Sequence, residues 1–179
     1  MVTLLSLSLL ALFQSAASGP ALASEMDRLG VREALVVATP SVDEQPAWSP
    51  DSRHLAANVG GKWLRFDLGA VKLEKGEWHG GAPIGVARAA SSTPLDAKTV
   101  HEWERNGRFD PRSVTTREGT KLELRQVDLG TQFVVTKKGA EPETRWSTGL
   151  ESCHSLALSP DDRYVAFICE QNGVVVAVP

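Results

Sequence analysis

The chain has 179 residues, 42% of them hydrophobic, and a formal net charge of −3. That length gives one domain with a real core. Mild acidity with scattered Lys and Arg gives no basis for nucleic acid or an anionic membrane surface as partner.

The opening "MVTLLSLSLLALFQSAASGPALAS" carries no charged side chain before Glu25, has an apolar run from Leu4 to Phe13 and ends in the small-x-small triplet Ala21-Leu22-Ala23. This layout predicts a secretory signal over residues 1–23, cut between Ala23 and Ser24, although the n-region lacks Lys and Arg. A membrane anchor is the competing reading, but the apolar run falls short of the roughly 20 residues that span a bilayer. No Cys follows the cut, so no bacterial lipid anchor is indicated. The expectation is a periplasmic or secreted protein, without a stable membrane span after cleavage, whose single domain covers residues 24–179.

After the signal comes an orphan strand, "EALVVAT" (Glu33 to Thr39), then "AWSPDSRHLAA" from Ala47. The latter returns as "ALSPDDRYVAF" from Ala157, with Ala, Ser, Pro, Asp and Arg at matching places. In both copies Pro50 or Pro160 presets φ for a turn, while Ser49, Asp51, Ser159 and Asp161 supply acceptors for exposed N–H groups. Trp48 and Trp63 fall in strands of the first copy and read as packing residues. Residues 78–98, "WHGGAPIGVARAASSTPLDAK", are rich in small residues, Gly and Pro, and read as a long loop with at most one short element. "HEWERNGRF" follows, with Asn106-Gly107 as a tight turn. Trp103 there, with Arg105 and Arg108 beside it, is the first candidate contact surface, and Trp146 in "ETRWSTG" is the second. For each indole, cover over a hydrophobic edge is the plainer role. "SVTTREGTKLELRQ" from Ser113 and "TQFVVTKKG" from Thr131 predict strands around a Glu-Gly turn and before a Gly stop.

In the second copy one face of the hairpin would carry Leu156, Leu158, Ala166 and Ile168, and the other Ala157, Val165 and Phe167. A hairpin apolar on both faces belongs between two neighbouring sheets. Pairing Leu158 with Tyr164 across the turn sets Cys153 opposite Cys169. These are the only cysteines, and in an oxidising compartment such a pair reads as a disulfide.

These residues carry a resemblance. "QPAWSPDSRHLAANVGGKWLRFDL" (Gln45 to Leu68) and "HSLALSPDDRYVAFICEQNGVVVAVP" (His154 to Pro179) resemble the WD40-like (PD40) repeat of TolB-type β-propellers, in which a strand ending in W-S-P-D-G precedes a hydrophobic strand and a Gly-rich turn. Two positions depart: the usual Gly is Ser52 and Asp162, and the usual Trp is Leu158 in the second copy. At about 40 residues per four-stranded blade, the fold implied is all-β, a small or incomplete β-propeller-like stack of about three to four antiparallel blades. The last copy ends after its third strand, and the orphan N-terminal strand is what a propeller would use to complete that blade and close. Self-association is the alternative if the blades stay open.

No G-x-S-x-G, H-E-x-x-H, Walker loop, G-x-G-x-x-G or C-x-x-C occurs, so no catalytic residue, cofactor or metal is expected. His54, His79, His101 and His154 lack partners at metal-ligand spacing, and turn geometry accounts for Asp51 and Asp161. The resemblance implies an exported, non-enzymatic module contacting a protein or peptide partner in the cell envelope or outside the cell. The alternatives are an accessory propeller subunit of a peptidase or hydrolase system, and a small carbohydrate-binding domain.

Overall fold

The computed structural model describes residues 22–37, 42, 44–77, 83–87, 92–149 and 151–179. The expected signal segment up to Ala21, together with Trp78 and His79, lies outside the described residues. In chain order the elements are α1 (Leu22–Leu29), β1 (Glu33–Leu35), β2 (Ala47–Trp48), β3 (His54–Val59), β4 (Lys62–Asp67), β5 (Leu73–Glu77), β6 (Pro83–Ala87), β7 (Ser92–Pro94), α2 (Ala97–Asn106), β8 (Arg108–Asp110), β9 (Ser113–Thr115), β10 (Lys121–Val127), β11 (Gly130–Thr136), β12 (Glu143–Ser147), β13 (Cys153–Leu158), β14 (Val165–Cys169) and β15 (Gly173–Ala177). The all-β expectation holds, with two short helices added.

The strands form three sheets: a seven-stranded one in the order β5-β6-β1-β15-β14-β13-β8, and two of four strands, β12-β11-β10-β9 and β2-β3-β4-β7. Among the described residues none of these sheets closes on itself. The wide sheet is the middle layer. Every residue of β14 and β15 is buried, because one face packs Ala157, Ala166, Ile168, Val174 and Val176 against Trp48, Leu55 and Phe66. The other face packs Leu156, Leu158, Val165, Phe167 and Val175 against Leu122, Leu124 and Phe133. A strand apolar on both faces is stable only in such a layer, since either face left wet would forfeit roughly 25 cal/mol per Å² of buried apolar surface.

The register of the second hairpin differs from expectation by one residue. Leu158 stands opposite Val165, not Tyr164, and Ala157 opposite Ala166, so Val165 and Phe167 share the face of Leu156 and Leu158. The register then shifts between His154 and Ala157. Ser155, at φ 65°, is the extra residue of this bulge, and its N–H donates to Pro111 O at 3.0 Å. The shift restores the pairing of Cys153 with Cys169, which form a disulfide with S–S 2.03 Å and Cα atoms 4.2 Å apart. Two one-residue offsets cancel because a bulge adds one residue to one strand only.

The N-terminal strand reaches the last copy. β1 runs antiparallel to β15, with Glu33 opposite Ala177, and Val36 N–H extends the ladder to Val174 O at 3.1 Å. The sheet does not stop there, because β6 lies parallel on the far side of β1. With β6 and β5 beyond β1 and β8 on the other edge beside β13, the terminal sheet has seven strands rather than four.

The loop expected over residues 78–98 instead holds β6, β7 and the start of α2. Its small residues hid the strand, and close packing explains them. A Cβ on Gly85 would sit 3.1 Å from Val31 Cγ2 and 3.3 Å from Leu73 Cδ1, so a larger residue would oblige both side chains to give way by a few tenths of an ångström. Asp96 caps α2, its carboxylate accepting from Thr99 N–H at 2.9 Å, as an N-cap aspartate does. Val100 is buried on this helix and meets Ala47 and Ala56 on the outer face of the β2-β3-β4-β7 sheet. No helix among the described residues is long and apolar enough to cross a membrane.

Candidate functional site

Both Ser-Pro-Asp segments fold into one turn. Ser49 N–H donates to His54 O at 3.0 Å and Ser52 N–H to Ser49 O at 2.9 Å. The Ser49 hydroxyl accepts from His54 N–H at 2.9 Å and donates to Asp51 Oδ1 at 2.6 Å, which also accepts from Arg53 N–H at 3.1 Å. The second copy repeats this set: Ser159 with Tyr164 at 2.9 and 3.0 Å, Asp162 with Ser159 O at 3.0 Å, Ser159 with Asp161 at 2.7 Å and Asp161 with Arg163 N–H at 3.1 Å. Partial burial disfavours the Asp51 carboxylate, but the Ser49 hydroxyl, Arg53 N–H and the charges of His54 and Arg53 outweigh it. The Asp51 carboxyl is held below its ordinary range.

A third turn of this kind was not legible as such. Thr116 N–H donates to Thr120 O at 2.9 Å, Gly119 N–H to Thr116 O at 3.0 Å, and Thr120 N–H to Thr116 Oγ1 at 3.0 Å. This is the same arrangement one residue shorter, with Thr116 in the role of Ser. In all three turns the fourth residue is left-handed: Ser52 at φ 60°, Asp162 at 63° and Gly119 at 86°. Only Gly takes that conformation freely.

The non-glycine side chains at that position bridge the sheets. Ser52 Oγ accepts from Asp161 N–H at 3.1 Å, which joins the first copy's turn to the second. The Asp162 carboxylate accepts from Arg117 N–H at 2.7 Å and pairs with the Arg108 guanidinium, joining the second turn to the third. Arg108 also donates to Thr115 O at 3.2 Å and Ser159 O at 3.3 Å. The three turns therefore stand side by side along one rim of the stack.

Between the second and third turns lies a cleft of about 520 Å³ whose charged lining is Arg117, Glu118, Lys137, Asp161, Asp162 and Arg163. Asp161 and Asp162 are engaged by the turns themselves. The Arg163 guanidinium stands 5.6 Å from the Tyr164 ring centroid. A cleft lined by both signs of charge suits polar, charged contacts rather than burial of an apolar ligand.

The sequence candidates divide. Trp103 lies on α2, half-buried over Ala47, Ala56 and Val100 beside Trp63 and Leu95. Arg105 is exposed on the same helix, whereas Arg108 belongs to β8 and the rim. The three do not form one loop surface, because the stretch read as a loop is a helix followed by a strand. Trp146 sits half-buried on β12, its ring 5.7 Å from that of Phe167. Trp48 packs between copies as expected, stacked on Tyr164 at 5.8 Å and donating from Nε1 to Ala157 O at 2.7 Å.

Sequence reasoning passed over two buried carboxylates. Glu151 accepts from Gln171 N–H at 2.6 Å, from Asn172 N–H at 2.9 Å and from Asn172 Nδ2 at 2.6 Å, and so ties the β14–β15 turn. Glu33 on β1 is 8% exposed. Burial pushes its carboxyl up to about 7, against the smaller opposing effect of the Arg32 charge. No local pattern marks either residue. Among the described residues no three His, Cys, Asp or Glu gather at a metal-binding spacing. Comparison with protein-family models, curated proteins and solved structures found no match to this chain.

Proposed function

We propose that this chain is an exported, non-enzymatic interaction module of TolB-like β-propeller type, which contacts a protein or peptide partner through its rim of stacked turns. The observation that carries the reading is the line of three like turns bridged by Ser52 and Asp162, with the charged cleft beside the third. In this reading the blades are β2-β3-β4-β7, β9 to β12, and β13-β14-β15 completed by β1. A buried disulfide fits an oxidising compartment. Loops and turns on a rigid layered scaffold are where binding residues concentrate.

A photo-crosslinking residue at Glu118, introduced in cells, tests this. The expected result is a discrete adduct that disappears when Arg117 and Lys137 are both changed to Glu. The control site is Leu129, 68% exposed in the turn at the far end of the β10–β11 hairpin. The same adducts from both sites, or none from Glu118, would remove the rim as the contact surface.

A further inference from the structure

Leu22 opens α1 with 1% of its surface exposed, packed into the core that α1 shares with the middle sheet and with Trp48, Leu55 and Phe66. Ala23 N–H donates to Tyr164 Oη at 3.2 Å. A cut between Ala23 and Ser24 would remove both. It would leave Met26 as the one fully buried side chain of the helix, open a leucine-sized void, and set a new ammonium group at the positive end of the helix dipole.

We infer that Leu22 and Ala23 belong to the exported protein, and that the leader is removed upstream of them at the Ala17–Ser18 amide. The inference rests on the reading of an exported chain. Ser15-Ala16-Ala17 is also a small-x-small triplet, and it follows the apolar run Leu4 to Phe13 more closely than Ala21-Leu22-Ala23 does. The reaction is hydrolysis by an envelope leader peptidase. The Ala17 C–N bond breaks and water adds across it, leaving a carboxylate on Ala17 and an ammonium on Ser18. Helix α1 then keeps its first turn, with Glu25 and Arg28 joined at 2.9 and 2.5 Å on its exposed side.

The intact mass of the protein recovered from the envelope or medium decides the matter. A mass starting at Ser18 supports the inference, and one starting at Ser24 overturns it. A start from Gly19 to Leu22 overturns the assigned bond. Full-length chain that stays in the cytosol would instead overturn the reading of export itself. Ala17→Leu should accumulate precursor while Ala21→Leu is processed at the normal rate, and the reverse pattern refutes the assignment. A chain starting at Ser24 should melt on the order of 5–15 °C below one starting at Ser18; equal melting would mean that Leu22 does not complete the core.

Discussion

Asp162 occupies a backbone conformation that an L-residue adopts at a cost of about 1–2 kcal/mol, and a glycine there would remove the cost. The acid is retained where its carboxylate holds the Arg117 N–H and the Arg108 guanidinium, and where its side chain is 15% exposed. Asp162→Ala should therefore destabilise the protein by about 2–3 kcal/mol in urea unfolding, because the strain stays while Arg108 is left without its carboxylate. A change within 0.5 kcal/mol would show that the bridge between the second and third turns contributes nothing. Glu33 gives a pH dependence of defined sign. Its folded pKa of about 7 lies above the ordinary 4.5, so the folded state holds the proton more tightly than the unfolded one. The Glu33 contribution to stability is then greatest in acid, falls as the pH rises from about 4.5 through about 7, and levels off above that, opposite in sign to the contribution of carboxyls held low such as Asp51. Glu33→Gln should abolish this decline and raise stability at pH 8 by about 1–3 kcal/mol. Parallel pH profiles for the two proteins would contradict the assignment.

At the scale of elements, the second hairpin shows what a turn can and cannot specify. The Ser159–Tyr164 turn sets Leu158 opposite Val165, and only the bulge at Ser155 brings the sulfurs into line. The bulge is anchored from outside the hairpin, by Pro111 O on the neighbouring strand's continuation, so no pattern within the hairpin could disclose it. Reduction, or the Cys153→Ser/Cys169→Ser pair, should lower stability by about 2–4 kcal/mol, since the bridge closes a loop of sequence separation 16. Equal melting temperatures with and without reductant, with reduction verified by mass, would refute a stabilising role. The stretch over residues 78–98 failed for another reason. Strand β6 is built from Pro, Ile, Gly, Val and Ala, and its Gly lies under the close approach of Val31 and Leu73 rather than in a turn.

For the molecule as a whole, an open stack of sheets must protect its two outer faces and its edges. The outer face of the β2-β3-β4-β7 sheet is covered by α2 through Val100 and Trp103. The β10 strand alternates buried Leu122 and Leu124 with Lys121, Glu123 and Arg125, and Glu123 pairs with Lys121 at 3.2 Å and with Arg125 at 2.9 Å on the outer side. The edge strands β5 and β12 carry Glu74, Lys75 and Glu77, and Glu143 and Arg145, charges of the kind that oppose edge-to-edge pairing. The protein should accordingly be a monomer at micromolar concentration in sedimentation velocity. Val100→Asp, which undocks α2, should turn it into a self-associating species. A wild-type dimer would mean that an edge or an end face remains open.

The turn chemistry of both Ser-Pro-Asp segments, the need to bury the second hairpin on both faces and the partnership of the two cysteines follow from the amino-acid sequence. The first two are written in residues close along the chain, where φ preferences, side-chain acceptors and alternation act directly; the third follows from there being two cysteines, while the register that aligns them depends on the bulge at Ser155. Long-range packing sets the rest: Trp48 and Ser52 meet the second copy, Thr116 to Thr120 forms a third turn on the same rim, β1 lies between β15 and β6, and Leu22 belongs to the core. Those contacts join residues far apart in sequence, and what selects them is the burial of matching surfaces between sheets, which no short window of sequence contains.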